Sequence, residues 1–145
     1  MISFLRACAC VCALLCVCAR AGAGAPERVD DRFLQALAWV ESRGNPSAVG
    51  DQGKAIGIYQ IHRSYWADAV EHDKSIGGRY EDCYDPAYAR RIVVAYMSRY
   101  APANATYEQL ARLHNGGCGI LKRKGTKAWH NTTAYWNKIR AAMER

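Results

Sequence analysis

The chain has 145 residues, the length of one domain, with no internal repeat and no long disordered segment. Its formal charge of +7 directs it towards polyanionic surfaces, and no nucleic-acid motif accompanies the cations. Seven cysteines suggest a disulfide or metal scaffold only until their positions are read, because Cys8, Cys10, Cys12, Cys16 and Cys18 all fall in the first stretch.

That stretch has Arg6 near its start, an apolar run from Ala7 to Ala19, then small residues with Ala21, Gly22 and Ala23 in an A-x-A pattern. This is the order of a secretory signal peptide over residues 1–23, and the run is too short for a comfortable membrane span. The mature domain is then 24–145, exported and monomeric by default, with no transmembrane segment. Loss of Arg6 and Arg20 with the leader leaves +5, still attractive to an anionic bacterial surface. Cys83 and Cys118 remain, and two cysteines in an oxidising compartment read as one disulfide, contributing roughly 3–4 kcal/mol if unstrained. Isolated cysteines without a C-x-x-C or histidine spacing make a poor metal ligand set, so neither metal nor cofactor is expected.

The first mature helix is expected to open at Asp30 or Asp31 and stop at Gly44, before Asn45 and Pro46. At about 100° per residue Phe33, Leu34, Leu37, Ala38 and Val40 share one face, and Glu41 falls on it too. An acid there is either curled out to solvent on the last turn or dehydrated. Dehydration would raise its pKa and keep its proton on, as a general acid requires. Ten positions on stands Asp51, between Gly50 and Gly53, in a polar turn where an aspartate is also an ordinary turn former. One carboxyl on an apolar helix end and one on a polar turn meet the basic requirement of glycoside hydrolysis.

From Gly50 to Ile61 the chain is glycine-rich with short apolar runs, so loops or a very small β element are expected rather than a full sheet. A helix follows over Ser64 to Glu71, with Trp66, Ala69 and Val70 inward, and then a loop over Ile76 to Tyr80. Asp85 and Pro86 form an N-cap and a first helical position. Beyond them Ala89, Ile92, Val93, Tyr96 and Tyr100 recur at helical spacing, up to Pro102. Thr106 and Gln109 form a capping box for a short helix ending at Asn115 and Gly116. Lys122, Arg123, Lys124 and Lys127 make a solvated basic loop, and a closing helix spans Thr133 to Met143 with Tyr135, Ile139, Ala142 and Met143 on one side. Asn104 and Asn131 stand in glycosylation sequons.

Four blocks in order carry a family resemblance: Glu41 and Ser42; Asn45, Pro46 and Ala48; Gly53, Ala55, Gly57, Tyr59, Gln60 and Ile61; and Ala111 to Gly117 around His114 and Asn115. Together they resemble the lysozyme-like superfamily, shared by invertebrate-type (destabilase-type) lysozymes and soluble lytic transglycosylases. Tyr65, Trp66, Tyr96, Met97, Arg99, Tyr100 and the His114 block lean towards the invertebrate type. The resemblance implies an α+β, mostly helical lysozyme-like fold. It implies Glu41 as catalytic acid, Asp51 as second carboxylate, and Ser42, Tyr59, Gln60, His114, Asn115 and Gly116 along the saccharide site. From the residues alone His114 reads first as a packed core residue, ahead of a saccharide contact or a support for Glu41.

The activity so implied is hydrolysis of the β-1,4 bond between N-acetylmuramic acid and N-acetylglucosamine in peptidoglycan strands. A lytic transglycosylase would need only Glu41 and would give 1,6-anhydromuramic products. Two alternatives of another class are an isopeptidase of destabilase type, using a serine with His114, and a non-catalytic glycan-binding module.

Overall fold

The structure, a computed structural model, describes residues 29–145; the expected leader lies outside the described residues. Helix α1 (Asp31–Ser42) begins where Asp30 accepts the amide of Phe33 at 2.9 Å through Oδ1, and Oδ2 of the same side chain accepts the Tyr107 hydroxyl at 2.7 Å. The helix stops because Arg43 adopts the left-handed conformation, with its amide returning to the Trp39 carbonyl. Phe33, Leu34, Ala36, Leu37 and Ala38 are buried, so the apolar face read from the spacing is the one packed inward.

Three two-residue strands follow, β1 (Val49–Gly50), β2 (Ala55–Ile56) and β3 (Ile61–His62), antiparallel in that order. Ala55 pairs with both Gly50 and His62, and Ile56 with Val49 and Ile61. The first hairpin turns through a 3-10 segment at Asp51–Gly53, and Asp51 and Gln52 both have positive φ. The second turn is clamped from one side chain: Gln60 Nε2 donates to the Gly57 carbonyl at 2.9 Å and to that of Ala48 at 3.2 Å. Gly57 itself lies against a further 3-10 turn, Tyr80–Tyr84, so closely that a Cβ would stand 2.1 Å from the Cys83 carbonyl. The Tyr80 hydroxyl lies 2.7 Å from the Ile61 carbonyl, fixing that turn to β3.

Around this small sheet stand α2 (Arg63–His72), α3 (Pro86–Tyr100), α4 (Tyr107–Gly116), α5 (Lys127–Asn131) and α6 (Thr133–Met143). Both expected N-terminal signals operate: Asp85 accepts the Tyr88 amide, and Thr106 and Gln109 form the reciprocal box. Helices α2 and α3 pack together, and α1 packs against α6, which also meets α4. The fully buried core joins them through Phe33, Leu37, Ile61, Ile92, Met97, Leu110, Leu113 and Ile139. No helix of the described residues is long and apolar enough to cross a membrane.

Two expectations are corrected. The Cys83–Cys118 disulfide is absent: Cys83 is wholly buried in the Tyr80–Tyr84 turn, Cys118 is exposed beyond α4, and both thiols are free. Burial pushes the Cys83 thiol up to about 12, so it sits in the core as a small neutral hydrophobe. The basic stretch is not all loop. Ile120–Arg123 forms a 3-10 turn and Thr126 caps α5, although Lys122, Arg123, Lys124 and Lys127 do face solvent. Arg112, only 4% exposed, ties this region down. It pairs with Glu108 at 2.7 Å, donates to the Trp129 carbonyl and the Thr132 hydroxyl at 2.7 Å each, and lies over the Trp129 ring.

Candidate active site

Glu41 occupies the last turn of α1, where the apolar face runs out, and its side chain is 18% exposed. Two donors reach the same oxygen. The Tyr135 hydroxyl, from α6, donates to Oε1 at 2.5 Å, and His114 Nε2, from the end of α4, lies 3.5 Å from it. No buried side-chain oxygen or nitrogen among the described residues lacks a partner, so the unpaired Oε2 is the oxygen open to solvent. The carboxyl therefore has one oxygen held and one presented.

Its titration differs from the sequence expectation. Burial pushes the Glu41 carboxyl up and is the strongest single influence. Hydrogen bonding and charge from His114, the Tyr135 hydroxyl and the charge of His62 together outweigh it, holding the group below its ordinary value. Free of ligand, Glu41 is a carboxylate at neutral pH. Tyr135 is pushed well above the usual phenol range by burial and by the Glu41 charge, so it remains a donor.

The His114 ring, 5% exposed, is fixed from both ends. Nε2 lies 3.1 Å from the carbonyl of Tyr59, and a carbonyl only accepts, so Nε2 carries the hydrogen. On the other side of the ring Nδ1 lies 3.2 Å from the Tyr65 hydroxyl. Tyr65 is in turn stacked on Tyr96 with ring centroids 3.5 Å apart. The stripe of α3 thus ends, through two aromatic rings, at the imidazole beside the acid.

Glu41 opens into a cleft of about 370 Å³ walled by α1, the sheet, the end of α4 and α6. Gly50, Asp51, Ala55, Gln60 and His62 form one side; Val40, His114, Asn115, Tyr135 and Lys138 complete it. Asp51 is exposed, and its Oδ2 lies 2.9 Å from His62 Nε2 across the sheet. Gly50 leaves room for Gln60, since a Cβ there would fall 2.2 Å from its Oε1 and push the amide aside.

Of the residues singled out from the sequence, Glu41, Asp51, Gln60, His114 and Asn115 are brought to this cleft. Ser42 and Tyr59 stand behind it: the Ser42 hydroxyl donates to the Ile58 carbonyl at 2.8 Å, and the Tyr59 ring is buried while its carbonyl orients His114. Gly116 serves packing, since a Cβ there would lie 2.7 Å from Ile120. The sequence reading missed Tyr135, His62, Tyr65 and Lys138. Tyr135 shares one side of α6 with Ile139, Ala142 and Met143, and nothing in a helical stripe distinguishes a core phenol from one aimed at a carboxylate. No cluster of His, Cys, Asp or Glu among the described residues is arranged to hold a metal.

The profile of the Destabilase family matches residues 30–142. Lysozyme 1 of Crassostrea virginica is 31% identical over 119 residues, covering 78% of this chain and 59% of that protein. The chain therefore spans less than two thirds of the Crassostrea relative. The lysozyme of Ostrea edulis is 32% identical over 122 residues, 79% of this chain and 81% of that one. Among solved structures, the inhibitor-bound lysozyme of Meretrix lusoria matches with a TM-score of 0.57 at 28% identity, over 77% of this chain and 88% of its own. The mostly helical α+β fold with a small three-stranded sheet is lysozyme-like, as the motifs implied. With the profile spanning nearly all the described residues and two oyster relatives above 30% identity, the chain belongs to the Destabilase family.

Proposed function

We propose that this chain is a muramidase, a glycoside hydrolase that cleaves the β-1,4 bond between N-acetylmuramic acid and N-acetylglucosamine. The observation that carries the reading is Glu41, with Oε1 held by Tyr135 and His114 and Oε2 open, in one cleft with Asp51. The oyster and clam relatives are lysozymes, which supports the same chemistry.

A glycan filling the cleft displaces water from Oε2 and weakens the hydration of the carboxylate, shifting the group towards its protonated form. The Oε2 proton passes to the glycosidic oxygen as the bond from that oxygen to the anomeric carbon breaks. Asp51, on the sheet side of the same cleft, stabilises the developing positive charge. Water then adds to the anomeric carbon, and its proton returns to Glu41. Gln60 and Asn115 offer polar groups along the wall, while Ser42, Tyr59 and Gly116 keep that wall in shape. Among the described residues no serine hydroxyl is hydrogen-bonded to His114, and that of Ser42 donates to the Ile58 carbonyl, so the geometry favours the glycosidase reading over isopeptide cleavage. The enzyme works as an exported monomer, drawn to anionic walls by its positive charge.

Mass spectrometry of soluble products from digested peptidoglycan is the test. Reducing muropeptides are expected from the wild-type domain and none from Glu41→Gln, with the fold of the variant intact by circular dichroism. Products with a 1,6-anhydro end would move the chain to the transglycosylases and leave Asp51 a turn residue paired to His62. A fully active Glu41→Gln enzyme would sink both readings.

A further inference from the structure

Just outside the cleft, Trp39 of α1 stays 39% exposed although α6 packs beside it. A single exposed tryptophan is ordinary. Here, however, two guanidinium groups lie over its ring, Arg43 at 4.9 Å and Arg145 at 5.2 Å from the centroid. A groove of about 270 Å³ runs beside this stack, bounded by Trp39, Val40, Arg43, Lys138 and Arg145. Val40 and Lys138 also line the cleft around Glu41, so groove and cleft are neighbours with these two residues between them.

Arg43, Lys138 and Arg145 form no ion pair among the described residues. A guanidinium stacked on an aromatic face loses little hydrogen-bonding capacity, because its N–H groups point outward in the plane of the fork. The groove therefore offers cations without ion-pair partners around an apolar floor, beside the end of α1 that carries Glu41. A neutral polysaccharide has nothing to match it. A peptidoglycan strand does: each muramic acid carries a lactyl ether that continues as a short peptide with small methyl side chains and free carboxylates.

Resting on the muramidase reading, we propose that Trp39, Arg43, Lys138 and Arg145 form an accessory subsite for the acidic stem peptide of the muramic acid bound beside Glu41. Lys138 stands at the junction and meets the branch as it leaves the sugar. Arg43 and Arg145 take carboxylates farther out, and the Trp39 ring receives the alanine methyls. The subsite makes the enzyme prefer strands whose peptides are intact over strands already stripped by an amidase.

The experiment uses peptidoglycan freed of phosphate-rich wall polymers and solubilised, one half left with its stem peptides and the other stripped. The double variant Arg43→Gln with Arg145→Gln is compared with wild type on both. Two exposed charge pairs predict a loss of about five-fold in kcat/KM on peptide-bearing strands, through KM. Rates on stripped strands should be unchanged, which also shows that the variant folds, and Trp39→Ala should reproduce the pattern. Equal losses on both substrates, or none on either, overturn the proposal. A loss that appears only on walls still carrying phosphate polymers assigns the groove to those polymers and overturns it too. If wild type releases no reducing ends from either strand, the muramidase reading itself has failed and the subsite goes with it.

Discussion

Glu41 keeps its negative charge through donors that arrive from two distant helices, so one hydroxyl should move its titration. Tyr135→Phe removes the 2.5 Å hydrogen bond to Oε1, a bond that favours the ionised form. The Glu41 pKa should rise, and the alkaline limb of the pH–kcat/KM profile, where the acid form is lost, should move to higher pH. An unmoved limb would mean that Tyr135 only packs beside the carboxylate. Wild type, with its acid held below the ordinary range, should be most active at acidic pH. The place of Glu41 was legible in the sequence because an acid on an apolar helix face is unusual. The sign of its shift was not. Desolvation can be guessed from the neighbours of Glu41 in the helix, whereas the opposing donors come from His114 and Tyr135, which no local spacing connects to it.

Among the elements, the two hairpins carry most of the local constraint and were the hardest to read. Gly57 and Gly44 both have positive φ, but only Gly57 abuts another backbone, that of Cys83. Gly44→Ala should cost roughly 1 kcal/mol for its conformation alone. Gly57→Ala adds a collision with a carbonyl that cannot swing aside, and should cost roughly 2–4 kcal/mol in urea unfolding. Equal midpoints for the two variants would contradict the close approach. Helices α3, α4 and α6 were readable from Asp85 with Pro86, from the Thr106 and Gln109 box, and from the stripe through Ile139, because caps and periodicity are local signals. The three strands, two residues each, are too short for alternation to register. Helix α5 was hidden because its five residues follow a basic run and bury none of their own number, while its anchor, Arg112, belongs to α4.

For the molecule as a whole, cohesion rests on burial and on Arg112 rather than on a covalent staple. The native domain of residues 29–145 treated with a thiol reagent should label Cys118 alone, the unfolded domain should label Cys83 as well, and the melting temperature should not change with reductant. A drop in melting temperature on reduction would restore the disulfide read from the cysteine count. That reading failed because pairing depends on where the fold puts each sulfur, and the core claims Cys83. Arg112→Leu would remove the ion pair to half-exposed Glu108 and one donor each from the Trp129 carbonyl and the Thr132 hydroxyl, which still bond each other, costing roughly 1–3 kcal/mol. Because Arg112 secures the segment that leads into α6, such a variant should lose activity at temperatures where much of its helix content survives. The hydrogen bond between Tyr135 and Glu41 spans 94 positions of sequence. The acid is made 94 residues before its phenol partner, so a chain whose α6 is not yet made lacks half of this pair. A cell making this protein handles an incomplete tool until α6 docks, and a protease that trims α6 disarms it without touching the acid.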